Sequence, residues 1–329
     1  METSSDPLPH SDWLTHSTRL FSWGVISVLL VYLINNYLNL AHEWPGAGAI
    51  FSTASGGLGW LQTCFYLIGF AVTGHYVFRN PQTLRRDSLR INEINTFLIR
   101  AAFWVVVFIG VADMVVSFIR VEGFLPTVVG EELAKELGRP NFRGPYLHVP
   151  LVFAGIVTAI FTRTLGFTWL ALLIVMAELA IVITRFVLSY EQAFMGDLVR
   201  YWYAALFLFA SAYTLFEEGH VRVDVFYTNF RSRTKGFLNS IGCIFLGLSV
   251  CATIILIGTS GKSSILNSPV MNFEVSQSGY GMYVKYQMAA FLGVFAFTMA
   301  IQFASYLLES VADFRQDPGK RQPNTTSAQ

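Results

Sequence analysis

The chain has 329 residues, of which 53% are hydrophobic and only 13% charged, and its mean hydropathy is +0.50. A soluble protein of this length carries roughly a quarter charged residues, so the composition excludes an ordinary water-soluble domain. A net charge of +1 supplies no basic face, and no nucleic-acid partner is expected.

The charge that is present lies between long apolar runs. Crossing a hydrocarbon core of ~30 Å takes about 20 helical residues. Seven runs of that length follow one another: Leu20–Ala41, Leu58–Phe78, Phe97–Ile119, Thr168–Leu188, Arg200–Phe216, Gly236–Gly258 and Tyr286–Leu308. An eighth, His148–Thr164, is shorter. The expected fold class is all-α, a polytopic integral membrane protein of about eight transmembrane helices. A cleavable signal peptide is not expected, because one arginine stands against three acids before the first run and that run is too long for a signal core. Cys64, Cys243 and Cys251 fall inside runs without metal-ligand spacing and read as small core residues.

Lysine and arginine accumulate in cytoplasmic loops. With the N-terminus inside, the inner segments hold thirteen: Arg19, Arg79, Arg85, Arg86, Arg90, Arg163, Arg222, Arg231, Arg233, Lys235, Arg315, Lys320 and Arg321. The outer segments hold seven: Arg120, Lys135, Arg139, Arg143, Arg200, Lys262 and Lys285. The bias predicts both termini in the cytoplasm. In the outer loop "TVVGEELAKELGRP", Val129, Leu133 and Leu137 recur every four residues, and Gly138 and Pro140 can end a helix. A short amphipathic helix on the outer face is expected there, either shielding span ends or docking a partner. The tail from Asp317 onward is polar and reads as disordered.

Intramembrane charge is costly and by default suggests a function. Asp113 and Glu178 sit deepest, and Arg185 follows Glu178 on the same helical face, two turns away and out of direct reach. They mark either an ion or proton path or charges that lock helices together, within this chain or against another subunit. Histidines raise a second possibility, since a membrane haem takes two at similar depth on facing helices. His42 and His148 fall near the outer ends of runs, His75 and His220 near the inner ends. No HExxH, CxxC, phosphate loop or nucleophile elbow appears, so no catalytic residue, metal or cofactor is expected.

From Thr184 the chain reads "TRFVLSYEQAFMGDLVRYWYAALFLFASAYTLFEEGHVRVDVFYTNFRSRTKGFLN". This resembles the small membrane subunit, the DctQ family, of tripartite ATP-independent periplasmic (TRAP) transporters. In that family a first helix ends in an Arg-aromatic pair, as Arg185-Phe186 does here. An acidic-x-x-Arg-Tyr turn opens the second helix, matched by Asp197, Arg200 and Tyr201. That helix ends in a Gly-His-x-x-Val-Asp-like signature, matched by Gly219, His220 and Asp224, with Arg222 between them. The resemblance covers about Phe167 to Ala312 as a four-helix unit. It divides the chain into an extension of about four helices (1–166), the unit (167–312) and a polar tail (313–329).

The resemblance implies a non-enzymatic scaffold beside a large permease subunit, in a bacterial inner membrane. In such systems a periplasmic binding protein delivers the substrate, typically an organic acid, and the large subunit carries the substrate and sodium sites. Membrane lipids are further partners, met by Arg231, Arg233 and Lys235 at anionic headgroups. Arg185 and Asp197 are expected to pair and hold the first two helices of the unit in register. Gly219 can end a helix in a left-handed turn, with an extended strip carrying Val221, Val223 and Val225 after it and His220 within reach of Asp224. Two other readings stand beside this one: a haem-binding or quinone-linked anchor of a redox complex, and a self-sufficient transporter. The missing pairs of Gly/Pro-broken spans weigh against the last.

Overall fold

Hydrocarbon tolerates only segments that satisfy their own backbone hydrogen bonds, which a long run of Leu, Val, Ile and Phe does as a helix. The computed structural model describes residues 12–51, 56–217, 227–275 and 281–321, and its regular structure there is helical. Eight long helices follow in order: α1 (Trp13–Ala41), α2 (Gly57–Arg79), α3 (Leu84–Val121), α4 (Pro140–Phe161), α5 (Phe167–Phe186), α6 (Ala193–Phe216), α7 (Ser232–Gly258) and α8 (Lys285–Arg315). Among the described residues seven of these, all but α6, are long and apolar enough to cross a membrane. With 24 residues α6 reaches ~36 Å, but Tyr201, Tyr203, Tyr213 and its Asp197–Arg200 turn dilute its apolar character. The shortest expected span is longer than its apolar run, because α4 begins at Pro140 and carries a single π turn over Gly144–His148.

The helix expected in the loop after Arg120 is present but broken. Leu125–Val129 and Glu131–Leu137 are separate short helices, because Gly130 adopts φ +85° between them. Val129 and Leu133 therefore do not share one helical stripe.

By its internal contacts the chain forms two compact units, each drawing on helices from both sides of residue 167. The first comprises Met1–Asn95, Thr214–Thr253 and Met299–Gln329. Its apolar core gathers Leu84, Ile91, Cys243, Ile301, Leu308 and Val311, with Trp23 and Ile26 of α1 packed on it. Arg19 is buried there and donates to Asp87 at 2.6 Å, to the carbonyl of Val77 at 3.2 Å and to that of Asn80 at 2.7 Å. The last carbonyls of a helix lack intrahelical donors. Arg19 thus caps α2 while neutralising the first turn of α3.

Polar pairs then join α3 to α8 within the same unit. Ser88 and Ser305 share a hydroxyl contact at 3.0 Å, and Asn95 donates to Gln302 at 3.0 Å. Small residues bring α7 onto α8, as is usual between membrane helices. A Cβ on Gly236 would meet the Phe314 nitrogen at 2.4 Å, and one on Gly247 the Phe303 ring at 2.6 Å. The start of the tail is not free. The Arg85 guanidinium holds the carbonyls of Asp317 (2.8 Å) and Pro318 (3.0 Å), and Arg321 stacks on Phe216 at 3.7 Å. The tail beyond Arg321 lies outside the described residues.

The second unit comprises Thr96–Tyr213 and Ile254–Thr298. An aromatic column runs through it, with Phe103 against Phe209 at 5.7 Å, Phe209 against Phe291 at 5.0 Å, and Phe291 against Tyr201 at 5.1 Å. Helices α3 and α4 approach until a Cβ on Gly155 would lie 2.7 Å from the Val105 nitrogen. At the far end of α4, Arg100 donates to the Thr162 carbonyl at 2.5 Å.

Candidate functional site: a buried Asp–Arg–His–Tyr network

The second unit surrounds Asp113, the deepest acid of α3, with donors on every side. Its Oδ1 accepts from Arg143 Nη1 at 2.9 Å and lies 3.1 Å from His148 Nε2, while its Oδ2 accepts from the Tyr283 backbone N–H at 2.8 Å. Asp113, Arg143 and His148 are all buried. A buried ion pair holds only when its remaining lone pairs and protons are also satisfied. Here Arg143 Nε donates to the Leu137 carbonyl at 2.9 Å, Nη1 also reaches Ser117 at 3.3 Å, and the guanidinium, whose Nη2 has no hydrogen-bond partner among the described residues, lies over the Tyr283 ring at 4.1 Å.

The π turn of α4 explains how one short segment supplies two of these groups. π turns inside α-helices recur at functional sites because the extra residue re-aims side chains. Arg143 precedes the turn and His148 closes it, and both are buried against Asp113. Gly144 opens the turn where a side chain would collide, since a Cβ there would lie 2.3 Å from the Phe273 ring.

Beyond His148 the network continues into α8 and α6. His148 Nδ1 lies 2.7 Å from the Tyr286 hydroxyl and 3.1 Å from Gln287 Nε2, and the buried Tyr201 hydroxyl donates to Gln287 Oε1 at 2.5 Å. The donor count is met by an imidazole with its proton on Nε2, donating to Asp113 and accepting at Nδ1. Arg120 closes one side of the network, with its guanidinium 4.6 Å from the Tyr283 ring centroid, a hydrogen bond to the Tyr283 hydroxyl and another to the Gly281 carbonyl at 2.9 Å. The Tyr283 hydroxyl donates to the Gly138 carbonyl at 2.8 Å.

Chemically this arrangement holds helices. It joins α3 and α4, which precede residue 167, to α6 and α8, which follow it, through buried charge-assisted bonds. Both ring nitrogens of His148 are engaged, so this histidine offers no lone pair to a haem iron. His42 sits exposed at the end of α1 and His75 is exposed on α2. Among the described residues no group of three or more His, Cys, Asp or Glu side chains could hold a metal ion.

Of the residues singled out by sequence, Asp113 and Tyr201 enter this network. Asp197 touches its edge, accepting from the Met282 backbone at 3.2 Å. The expected Arg185–Asp197 pair is not formed. Arg185 lies 4.0 Å from Glu191, which the linking turn brings closer, and Asp197 lies 3.7 Å from Arg200 one turn along its own helix. Arg200 is exposed, and so is Glu178. Gly219, His220, Arg222 and Asp224 lie outside the described residues. Sequence reasoning missed Arg143, Tyr283, Tyr286 and Gln287. Tyr286 and Gln287 lie in the opening turn of α8, while Tyr283 precedes the helix and reaches Asp113 through its backbone N–H, which no helical spacing announces.

No curated protein and no solved structure matches the chain. A family model does: that of the tripartite ATP-independent periplasmic transporters, DctQ component, matches residues 172–313. The match opens inside α5 and closes inside α8, and it contains Tyr201, Tyr283, Tyr286 and Gln287 but neither Asp113, Arg143 nor His148. Over residues 172–313 the chain is thus similar to the DctQ component of TRAP transporters, and it carries additional helices ahead of that region.

Proposed function

We propose that this chain is the non-catalytic scaffold of a sodium-coupled TRAP transporter in a bacterial inner membrane, with both termini in the cytoplasm. It stands beside a large permease subunit that carries the substrate, an organic acid handed over by a periplasmic binding protein. The added helices of 1–166 act as a brace that widens and stiffens the family unit of 167–312. The Gly219–Asp224 signature and the Arg185–Phe186 and Asp197–Tyr201 motifs serve assembly.

The observation that carries this reading is the Asp113 network. Its charges are matched from within the chain and tie residues ahead of the family match to residues inside it. A fixed support needs such internally balanced charge, whereas a carrier site needs polar groups left open to a ligand. The test is co-purification. The tagged chain, co-expressed with a large permease subunit, is expected to hold it through detergent extraction and gel filtration. Elution of the chain alone under mild detergents contradicts the proposal.

A further inference from the structure

Among the described residues, Glu178 is a mid-span charge that the fold leaves unanswered. It lies in α5, eleven residues after Phe167 and eight before Phe186. At 1.5 Å per residue both helix ends are more than ~10 Å away, beyond the reach of a glutamate side chain, so it cannot snorkel to an interface as lysine does. Helix α5 turns Leu170, Ile174 and Ala177 inward, while Glu178 faces outward beside the exposed Val175, Met176, Leu179 and Val182. Among the described residues no hydrogen bond or ion pair reaches it. The only nearby cation on its stripe, Arg185, is 4.0 Å from Glu191 instead.

We infer that Glu178 marks the docking face for the large permease subunit, and that this face receives a basic side chain presented at mid-membrane depth. An ionisable group facing hydrocarbon is expensive, and such groups are paired or turned toward an interface. The apolar residues around it form the remainder of a helix contact, and a carboxylate at its centre fixes both register and partner, because a mismatched helix leaves it unpaired. A positive partner is favoured over a neutral donor because no other charge on this face balances Glu178. The inference rests on the functional reading above and adds to it the residue and the chemistry of contact.

The experiment uses the full tagged chain co-expressed with the large permease subunit. Wild type, Glu178→Lys, Glu178→Leu and Glu178→Asp are compared for permease retained after extraction and for thermal stability of the chain alone. A photo-crosslinking residue is placed at Leu179, with Leu67 on α2 as the control. Expected are at least a tenfold loss of retained permease for Glu178→Lys, a smaller loss for Glu178→Leu and partial retention for Glu178→Asp. The chain alone should be equally or more stable in Glu178→Leu, since a charge has left an apolar face. Adducts should form with the permease from position 179 and not from 67. If wild type binds the permease while Glu178→Lys binds it equally well, or if position 179 yields adducts only with a second copy of the chain, the inference fails. If wild type binds no permease, the functional reading fails first and takes this inference with it.

Discussion

Arg143 donates to Asp113 at 2.9 Å in a position where neither side chain is exposed. Arg143 comes from the loop end of α4 and Asp113 from the inside of α3, so this bond decides how the π turn seats on the bundle. Removing one member leaves the other as an uncompensated buried charge, which costs about 3–5 kcal/mol. Asp113→Asn should therefore lower the melting temperature of the detergent-solubilised chain by roughly 5–10 °C. Asp113→Leu combined with Arg143→Met should recover most of that loss, because a matched apolar pair needs no desolvation. A melting temperature unchanged in Asp113→Asn would show that the network does not hold the helices.

The Arg19–Asp87 pair makes a separate case in the first unit. Among the described residues one Asp87 oxygen has no hydrogen-bond partner, so its charge rests on Arg19. Arg19→Lys keeps the charge but loses the planar fork that reaches Val77 and Asn80 as well. Each lost charge-assisted bond is worth about 1.5–3 kcal/mol. Arg19→Lys should be measurably less stable than wild type in thermal unfolding, and Arg19→Ala less stable still. Stability of Arg19→Lys equal to wild type would mean that the carbonyl contacts of α2 contribute nothing.

Close helix contact gives a third expectation. At Gly155 an added Cβ would meet Val105 Cγ2 at 2.6 Å and, at 2.7 and 2.8 Å, the Val105 nitrogen and Cα of α3, backbone atoms that cannot rotate away. Gly155→Val should cost about 1–3 kcal/mol through overpacking, read as a lower yield of folded protein. Gly74, which has open space around it, should tolerate the same change. Equal yields from both variants would count against the packing described.

Orientation is tested by labelling. With both termini in the cytoplasm, a cysteine replacing Ser263 in the segment between α7 and α8 should react with an impermeant maleimide in intact cells. One replacing Ser232, at the start of α7, should react only after the membrane is opened. Both positions are exposed. The reverse pattern would invert the topology.

Much of the fold was legible because apolar length alone dictates membrane helices. Six of the expected runs sit inside six of the long helices, Thr168–Leu188 overruns α5 by two residues, and His148–Thr164 overlaps α4. The boundaries were not legible where polar residues are buried. Arg143 looks like a loop cation in sequence, yet it belongs to α4, because Asp113 supplies a buried partner that only the folded chain reveals. Asp113 stood out by depth, and Tyr201 by its place in a motif. Their connection through Gln287 and His148 depends on helices far apart in sequence, which neither periodicity nor spacing encodes. The Arg185–Asp197 pair failed for a local reason, since each residue had a nearer partner of opposite charge within six positions.

The account rests on the chain being a scaffold that moves no solute by itself. Purified chain should be reconstituted into liposomes alone, with the large permease subunit, and with the permease plus the periplasmic binding protein. Uptake of labelled organic acids is then followed under an inward sodium gradient. The account predicts background uptake from the chain alone and accumulation only when all three components are present. Sodium-driven accumulation by the chain alone would contradict it.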